Sequence, residues 1–160
     1  MIEKLAIVGT IGTGLAIGLL WPWGHQATAT NGRTPAADVI ISRSSDLHYY
    51  ADAKVNGHDV HFMVDTGASE TALTEADAKA AGIPVDPDKF EVIGDGASGM
   101  VRGQYVEVKS IDLNGLHQQD AKAVVVPGAT VSLIGQPFLD KIDEIVIRNG
   151  EMQLKGPSNS

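Results

Sequence analysis

Three of the four Asn-Gly dipeptides lie between runs rich in apolar residues, and these three constrain the fold of this chain more than any other feature. They occupy positions 56–57, 114–115 and 149–150. Asn-Gly is the strongest short-range signal for a tight β-hairpin, because both residues tolerate the left-handed backbone angles of the turn. The sequence therefore predicts a mainly β fold in which neighbouring strands are largely antiparallel.

The runs beside the first dipeptide alternate with a period of two. The odd-numbered residues of Tyr49–Val55 are apolar, and in His58–Val64 the even-numbered residues from Val60 onward are apolar. A period of two is typical of a half-buried strand. Further on, the alternation changes parity between Tyr105 and Val106, and we expect a bulge or bend there.

Two short helices are predicted between the strands. Thr74 is placed to cap a helix over Glu75–Ala81, and Gly82 suits the position after its end. Pro137 is acceptable in a first helical turn, so a second helix is expected to run to about Ile142.

The N-terminal part has a different composition. Residues 5–23 contain no charged side chain, which approaches the ~20 residues of a membrane-spanning helix. Trp21 and Trp23 lie at the end of this segment, and tryptophan favours the membrane interface. We therefore expect residues 1–24 to be a transmembrane anchor. The alternative is a cleaved signal segment with its processing site near Ala27-Thr28-Ala29.

Domain boundaries follow from these differences. We expect residues 25–37 to be an irregular linker, residues 38–155 a single globular domain, and residues 156–160 a flexible tail. Under either interpretation of the N-terminus, the domain is expected outside the cytoplasm. We expect it to be anchored on the periplasmic side of a bacterial inner membrane, or secreted.

Charge and composition exclude several classes of function. The chain has 12 Lys and Arg against 20 Asp and Glu, a net charge of −8, which disfavours binding to nucleic acid. It has no cysteine, so thiol nucleophiles, disulfides and zinc thiolates are excluded. His58 and His61 fall on opposite faces of a predicted strand and cannot chelate one ion together, and no metal or cofactor is expected.

The stretch Phe62–Ser69 carries the clearest chemical signal. An apolar strand runs directly into Asp65-Thr66-Gly67. Glycine permits a tight turn where a Cβ would clash, so the carboxylate is expected on a loop anchored by the strand. The bland interpretation is a turn aspartate that happens to precede Thr-Gly.

Two other stretches belong with it. Gly94–Gly99 is rich in glycine and lies between the β runs Phe90–Ile93 and Met100–Ile111. This pattern predicts a hairpin with a mobile tip. Later in the chain, Leu133-Ile134-Gly135 ends another apolar run immediately before the second predicted helix.

Together, Val64–Ser69 and Leu133-Ile134-Gly135 resemble the signature of retropepsin-like aspartic proteases. The chain is most similar to the bacterial, membrane-anchored branch of clan AA that has a single Asp-Thr-Gly. The resemblance covers roughly Tyr49 to Leu154. It implies a small, closed, antiparallel barrel-like protomer with two short helices, preceded by the hydrophobic N-terminal helix.

The resemblance also implies roles for particular residues. Asp65 is the catalytic aspartate of this interpretation. The remaining residues fall into three groups: support of the active-site loop by Thr66, Gly67, Ala68 and Ser69; a flap of Gly94, Asp95, Gly96, Ala97, Ser98 and Gly99; and a bracing loop of Leu133, Ile134 and Gly135.

Hydrolysis by this chemistry needs two carboxylates that share one proton. The chain has one Asp-Thr-Gly, so the second carboxylate must come from another copy, and a two-fold homodimer is expected. The predicted function is an aspartic endopeptidase acting on peptides or proteins. The alternatives are a catalytically silent retropepsin-like module for dimerisation or peptide binding, tethered to a membrane, and a membrane-anchored adaptor with an unrelated β-barrel.

Overall fold

The computed structural model describes residues 38–96 and 99–157. The strands are β1 (Asp38–Ser42), β2 (Tyr50–Val55), β3 (His58–Val64), β4 (Ala72–Thr74), β5 (Glu91–Gly96), β6 (Gly99–Leu113), β7 (Leu116–Val126), β8 (Ser132–Ile134), β9 (Glu144–Arg148) and β10 (Glu151–Lys155). The helices are α1 (Glu75–Ala80) and α2 (Gln136–Leu139), with a 3-10 turn at Pro87–Lys89.

Several predicted segments lie outside the described residues. These are the anchor or signal segment (1–24), the linker (25–37), Ala97 and Ser98 of the predicted flap, and residues 158–160 of the tail. Within 38–96 and 99–157, no helix combines the length and hydropathy that crossing a bilayer requires.

A closed sheet forms the body of the described domain. Its strands follow the order β2-β3-β8-β4-β7-β6, and β6 pairs with β2 to complete the ring, while β5 extends from β6. The prediction of a mainly β, closed fold with two short helices is confirmed for the described residues. Most of the strand pairs are antiparallel, as predicted, and the β3–β8 and β4–β7 pairs are parallel.

The core fills the ring from strands on all sides and from one face of each helix. Phe62 of β3, Leu73 of β4 and Ile111 of β6 are fully buried. Ala78 of α1 and Phe138 of α2 are buried in the same cluster. Each helix is too short to be stable alone and depends on this packing.

All three Asn-Gly hairpins are confirmed. The φ angles of Asn and Gly are +51° and +86° at 56–57, +52° and +95° at 114–115, and +52° and +78° at 149–150. Both residues of each turn are therefore left-handed, as the tight turn between antiparallel strands requires.

Helix α1 begins and ends where its capping residues predict. The Thr74 hydroxyl accepts a hydrogen bond from the Asp77 backbone N–H at 3.0 Å. At the other end Gly82 has φ +71°, and Ile83 N–H donates to the Ala78 carbonyl at 2.8 Å. This is the Schellman arrangement, in which a left-handed glycine lets the chain satisfy the last carbonyls of the helix.

The predicted bulge between Tyr105 and Val106 is wrong. These residues stay in register with β7, opposite Val124 and Ala123. The buried parity changes later, between Val108 and Ile111, while β6 stays in register with β7 and gains β2 on its other edge. No residue is inserted in either strand, and Asp120 on β7 has a left-handed φ of +48° at the same level.

A second, smaller sheet lies at the ends of the described chain, with strand order β1-β10-β9. β1 pairs antiparallel with β10, so both ends of the domain join within one chain. Val39 and Ile41 of β1, and Met152 and Leu154 of β10, point into the core and are buried.

Candidate active site

The Asp-Thr-Gly loop begins exactly where β3 ends. Val64 is buried, whereas Asp65 is half-buried and Thr66 and Gly67 are exposed. One oxygen of the Asp65 carboxylate, Oδ1, accepts the Gly67 N–H at 2.8 Å, and the Ala68 N–H donates to the Asp65 carbonyl at 3.2 Å. These bonds close a tight turn that holds the carboxylate against its own backbone.

The parallel pair β3–β8 holds this loop from behind. Val64 lies opposite Ile134, and the Asp65 N–H donates to the Ile134 carbonyl at 3.0 Å. Ile134 is fully buried, so the loop is attached to the core at its first residue.

Gly135 lets the two segments approach more closely than any other residue would. A Cβ at Gly135 would lie 2.1 Å from the Glu70 carbonyl oxygen and 2.8 Å from the Ala68 carbonyl oxygen. Both are backbone atoms and cannot swing away. Leu133, Ile134 and Gly135 therefore lie directly against the Asp65 loop, as the sequence pattern predicts for a bracing segment.

Gln136 makes contacts that sequence reasoning missed. Its backbone N–H donates to the Ala68 carbonyl at 2.9 Å, and its side-chain Nε2 donates to the Thr66 carbonyl. Its position directly after Gly135 is the only sequence signal. Gln136 thus reaches across 70 residues of chain to the middle of the Asp-Thr-Gly loop.

The loop returns to the core through Glu70 and Thr71. Ser69 is exposed, Glu70 is half-buried and Thr71 is 1% exposed. The Thr71 hydroxyl has no hydrogen-bond partner among the described residues. The carbonyl of Thr71 accepts the Val124 N–H at 2.9 Å, which ties the far end of the loop to β7.

The predicted flap is a hairpin of β5 and β6. Gly94 lies opposite Val101, Asp95 opposite Met100, and Gly96 opposite Gly99. The two strands therefore remain paired up to the tip, and the register shifts between Val92 and Gly94. The bulge in this ladder lies at the base of the flap, directly before Gly94, where the sequence did not predict one.

A concave pocket of about 390 Å³ lies between the flap and the end of β7. The residues that line it are Gly96, Gly99, Met100, Val101, Arg102, Val126 and Pro127. Asp65 does not line this pocket. The structure thus brings the flap to Val126 and Pro127, and the bracing segment to Asp65.

A single carboxylate in this position can accept or donate a proton, but it cannot do both in one step. Hydrolysis of an amide needs a base for the attacking water and an acid for the carbonyl oxygen. The exposed Thr66-Gly67 turn leaves room for a second group beside Asp65.

Comparisons with known proteins agree with this geometry. The family model described as gag-polyprotein putative aspartyl protease matches residues 51–141. An uncharacterised protein of Rickettsia prowazekii is 32% identical over 108 residues, 68% of this chain and 47% of its own length. One from a Sinorhizobium species is 27% identical over 132 residues, 81% of this chain and 57% of its own length. The chain thus spans about half the length of these curated relatives.

Solved structures with the same fold are also found. A retropepsin-like aspartic protease from Rickettsia conorii matches with a TM-score of 0.66 and 28% identity, covering 79% of this chain and 96% of that one. The EIAV protease, in complex with the inhibitor HBY-793, matches with a TM-score of 0.50 and 19% identity, covering 62% and 92%, and shares the fold. The chain therefore belongs to the gag-polyprotein putative aspartyl protease family and is a retropepsin-like aspartic protease by sequence and fold.

Proposed function

We propose that this protein is an aspartic endopeptidase whose active site is built from two copies of the chain. The observation that carries the proposal is the Asp65 loop: one carboxylate, held by β3 and β8, with Thr66 and Gly67 exposed beside it. A two-fold axis next to this loop brings Asp65 and Asp65 of the partner subunit together.

In the proposed reaction the two carboxylates share one proton. The ionised carboxylate takes a proton from a water molecule, whose oxygen then attacks the scissile carbonyl carbon. The protonated carboxylate donates its proton to the carbonyl oxygen. A tetrahedral intermediate forms without a covalent bond to the protein, and its collapse with proton transfer to nitrogen releases the two peptides.

The neighbouring residues have positioning roles in this proposal. Thr66 hydrogen-bonds across the two-fold axis and keeps the carboxylates coplanar, while Gly67 lets the two loops approach. Ala68 and Ser69 support the loop, and Leu133, Ile134 and Gly135 brace it from behind. The bracing role is supported by the bond from the Asp65 N–H to the Ile134 carbonyl.

The flap, Gly94–Gly99, is proposed to close over the bound peptide and exclude water from the carboxylates. The pocket between Met100 and Pro127 is large enough for a substrate side chain, and both apolar side chains and polar groups, among them Arg102, line it. The hairpin geometry up to Gly96 and Gly99 supports this role.

We also propose that residues 1–24 tether the protease to a membrane, with the domain on the non-cytoplasmic side. The support is the uncharged segment 5–23, which has two tryptophans at its C-terminal end. Fractionation of cells that express the full chain tests this. Recovery of the protein only from the cytoplasm contradicts it.

Cleavage of an unstructured protein by the full chain and by Asp65→Asn tests the proposed activity. We expect Asp65→Asn to lower kcat/KM at least about a hundredfold, because the amide can neither accept nor donate the shared proton. Asp140→Asn, the same substitution at an exposed site, serves as the matched control and should keep its activity. Equal cleavage by wild type and Asp65→Asn contradicts the proposal. A wild-type protein that binds peptide without cleaving it supports the silent module instead.

A further inference from the structure

Arg102 lies at the base of the flap and lines the pocket beside it. It is on β6 opposite Val92, at the level where the β5–β6 register shifts. Its side chain is exposed, and the pocket that it lines extends to Pro127 at the end of β7. Among the described residues that line this pocket, Arg102 alone carries a charge. The pocket therefore combines one cation with uncharged neighbours.

A backbone carbonyl holds the guanidinium group of Arg102 in place. Its Nη2 donates a hydrogen bond to the carbonyl of Phe90, the residue directly before β5. A guanidinium group has five N–H donors in a planar fork, so this single bond leaves most of them available. A side chain that is already held loses less conformational entropy when it binds a ligand.

No carboxylate of the described chain neutralises this charge. Asp95 lies opposite Met100, which is two residues from Arg102 on the same face of the flap. Even so, Arg102 forms no ion pair within residues 38–96 and 99–157, whereas several lysines there each contact a carboxylate: Lys54, Lys79, Lys89 and Lys155. The free donors of Arg102 are thus available to an anion from outside the chain.

The charge of Arg102 contrasts with that of the whole chain. The net charge is −8, so the field of the protein as a whole repels an acidic peptide. A cation at one concave position reverses this repulsion locally. It therefore selects a carboxylate at one place along a peptide, rather than acidic proteins in general.

The uncharged part of the pocket suits the stem of a side chain. Met100, Val101, Val126 and Pro127 supply apolar groups beside Arg102. The volume of about 390 Å³ is near the lower end of the range for ligand pockets. Glutamate joins a short apolar stem to a carboxylate, and a carboxylate can pair with arginine through two parallel hydrogen bonds. Aspartate has a shorter stem and fills the same space less well.

We propose that Arg102 determines substrate specificity, and that this pocket binds a glutamate side chain of the peptide that the protease cleaves. The inference rests on the proposed function, because it names the substrate class of that site. Asp65 does not line the pocket, so the recognised glutamate lies away from the scissile bond rather than beside it.

Substitutions at Arg102 separate recognition from a purely structural role. If Arg102 only fastened the base of the flap to Phe90, a donor would be needed but a charge would not. Arg102→Gln keeps a donor and removes the charge. Arg102→Lys keeps the charge and loses the planar fork.

Cleavage of a proteome-derived peptide library by the full chain tests the specificity. Mass spectrometry of the products shows which residues are enriched at each position around the cleaved bond. We expect glutamate to be enriched at a position away from that bond. In matched peptides with Glu or Gln at this position, Arg102→Gln should lower the ratio of the two kcat/KM values about tenfold, because a charge-assisted pair is lost.

The other variants sharpen this result. Arg102→Lys should keep part of the preference for glutamate, and Arg102→Glu should favour lysine at the same position. Lys109→Gln is the matched control and should keep the wild-type preference. Lys109 lies on the same strand, is exposed and forms no ion pair among the described residues, but it does not line the pocket.

Two outcomes of the cleavage experiment overturn the inference. One is a wild type that shows no enrichment of glutamate, or an Arg102→Gln variant with the same profile as the wild type. The other is an equal fall in kcat/KM for every substrate of Arg102→Gln with the preference for glutamate unchanged. That result would limit Arg102 to holding the flap.

A carboxylate can also come from the C-terminus of a peptide. Amidated and free-acid forms of the same glutamate peptides distinguish the two sources. Recognition of the side chain predicts the same ratio of kcat/KM values, Glu over Gln, in both forms. A preference that disappears on amidation contradicts the proposal.

Binding separates the inference from the proposed activity. Labelled, amidated peptide pools with either Glu or Gln at one fixed position, and no other acidic residue, are titrated with Asp65→Asn and followed by fluorescence anisotropy. Tighter binding of the Glu pool, lost when Arg102→Gln is added, supports the inference even if the wild type cleaves nothing, and then only the proposed function is wrong. Equal binding of both pools overturns the inference, and Asp65-dependent cleavage would still leave the proposed function standing.

Discussion

At the residue scale, Gly135 determines how closely the bracing segment approaches the Asp65 loop. The space where its Cβ would lie is occupied by the carbonyl oxygens of Glu70 and Ala68. Backbone contacts hold the loop as much as side chains do, so the position of the loop depends on the lack of a Cβ at residue 135.

Gly135→Ala should therefore destabilise the domain by more than about 3 kcal/mol, because backbone must move to admit the methyl group. Gly94→Ala is the matched control, since a Cβ there meets nothing within 4 Å. It should change the free energy of unfolding by less than about 1 kcal/mol. Urea denaturation measures both, and equal effects would contradict this account of the loop.

Polar groups directly before and on β2 lower the pKa of the Asp46 carboxyl group, which lies among them. The Tyr50 hydroxyl donates to Asp46 Oδ2 at 2.7 Å, and the His48 N–H donates to Oδ1 at 3.1 Å. These bonds lower the pKa of Asp46 from 3.8 to about 2. Because the pKa is lower in the folded state, the bonds stabilise the turn above pH 3.8 and are lost as pH falls towards 2.

Tyr50→Phe should raise the pKa of Asp46 towards its ordinary value, because it removes the strongest of these donors. An NMR titration of the Asp46 carboxyl carbon measures the change. Asp59, whose pKa is lowered by Lys54 on the neighbouring strand, is an internal control and should titrate identically in both proteins. An unchanged Asp46 titration would mean that the Tyr50 bond does not form in solution.

At the element scale, helix α1 is joined to the ring by a small hydrogen-bond network. Asp77 Oδ2 accepts from the Thr74 hydroxyl at 2.7 Å and from the Ser132 hydroxyl at 2.6 Å. Ser132 is 1% exposed, and its oxygen also accepts the Thr74 N–H at 3.0 Å. The network connects the start of the helix to β8, the strand that holds the Asp65 loop.

Asp77→Ala should lower the free energy of unfolding by about 2–3 kcal/mol, because it leaves two partly or fully buried hydroxyls without an acceptor. Glu75→Ala, in the same helical turn, is the control. It loses only a 4.0 Å contact with Lys79, worth less than about 0.5 kcal/mol. Thermal unfolding compares the two, and equal shifts in Tm would contradict the role of the network.

Elements with local signals were predictable from the sequence, and contacts between distant segments were not. The Asn-Gly turns and the caps of α1 depend on neighbouring residues, so their positions could be found from the pattern. The Gln136–Thr66 contact joins residues 70 apart and has no local signal. The parity change near Ser110 lies where β6 gains β2 as a second neighbour, and the pattern of a single strand locates such a change only approximately.

The same distinction applies to the candidate site. Asp65 and its loop could be identified because the Asp-Thr-Gly motif is contiguous. Leu133-Ile134-Gly135 could be associated with it only through the family resemblance. The parallel β3–β8 pair joins two strands that are far apart in the chain. The sequence of neither strand indicates that the other is its partner.

At the scale of the whole molecule, the proposed active site forms only when two chains, each with half of the site, come together. In the proposed dimer, each chain contributes one carboxylate. The specific activity of the wild type should therefore fall on dilution as the dimer dissociates. A specific activity that is independent of concentration, measured while sedimentation shows dissociation, would contradict a shared site.

Titrating wild type with Asp65→Asn at constant total protein tests the central claim most directly. If each site needs Asp65 from both chains and the chains exchange freely, an equal mixture keeps about one quarter of the wild-type activity. If each chain is a complete enzyme, the same mixture keeps about half, in proportion to the wild-type chain present. A quadratic dependence on the wild-type fraction is the predicted result, and a linear dependence contradicts the account.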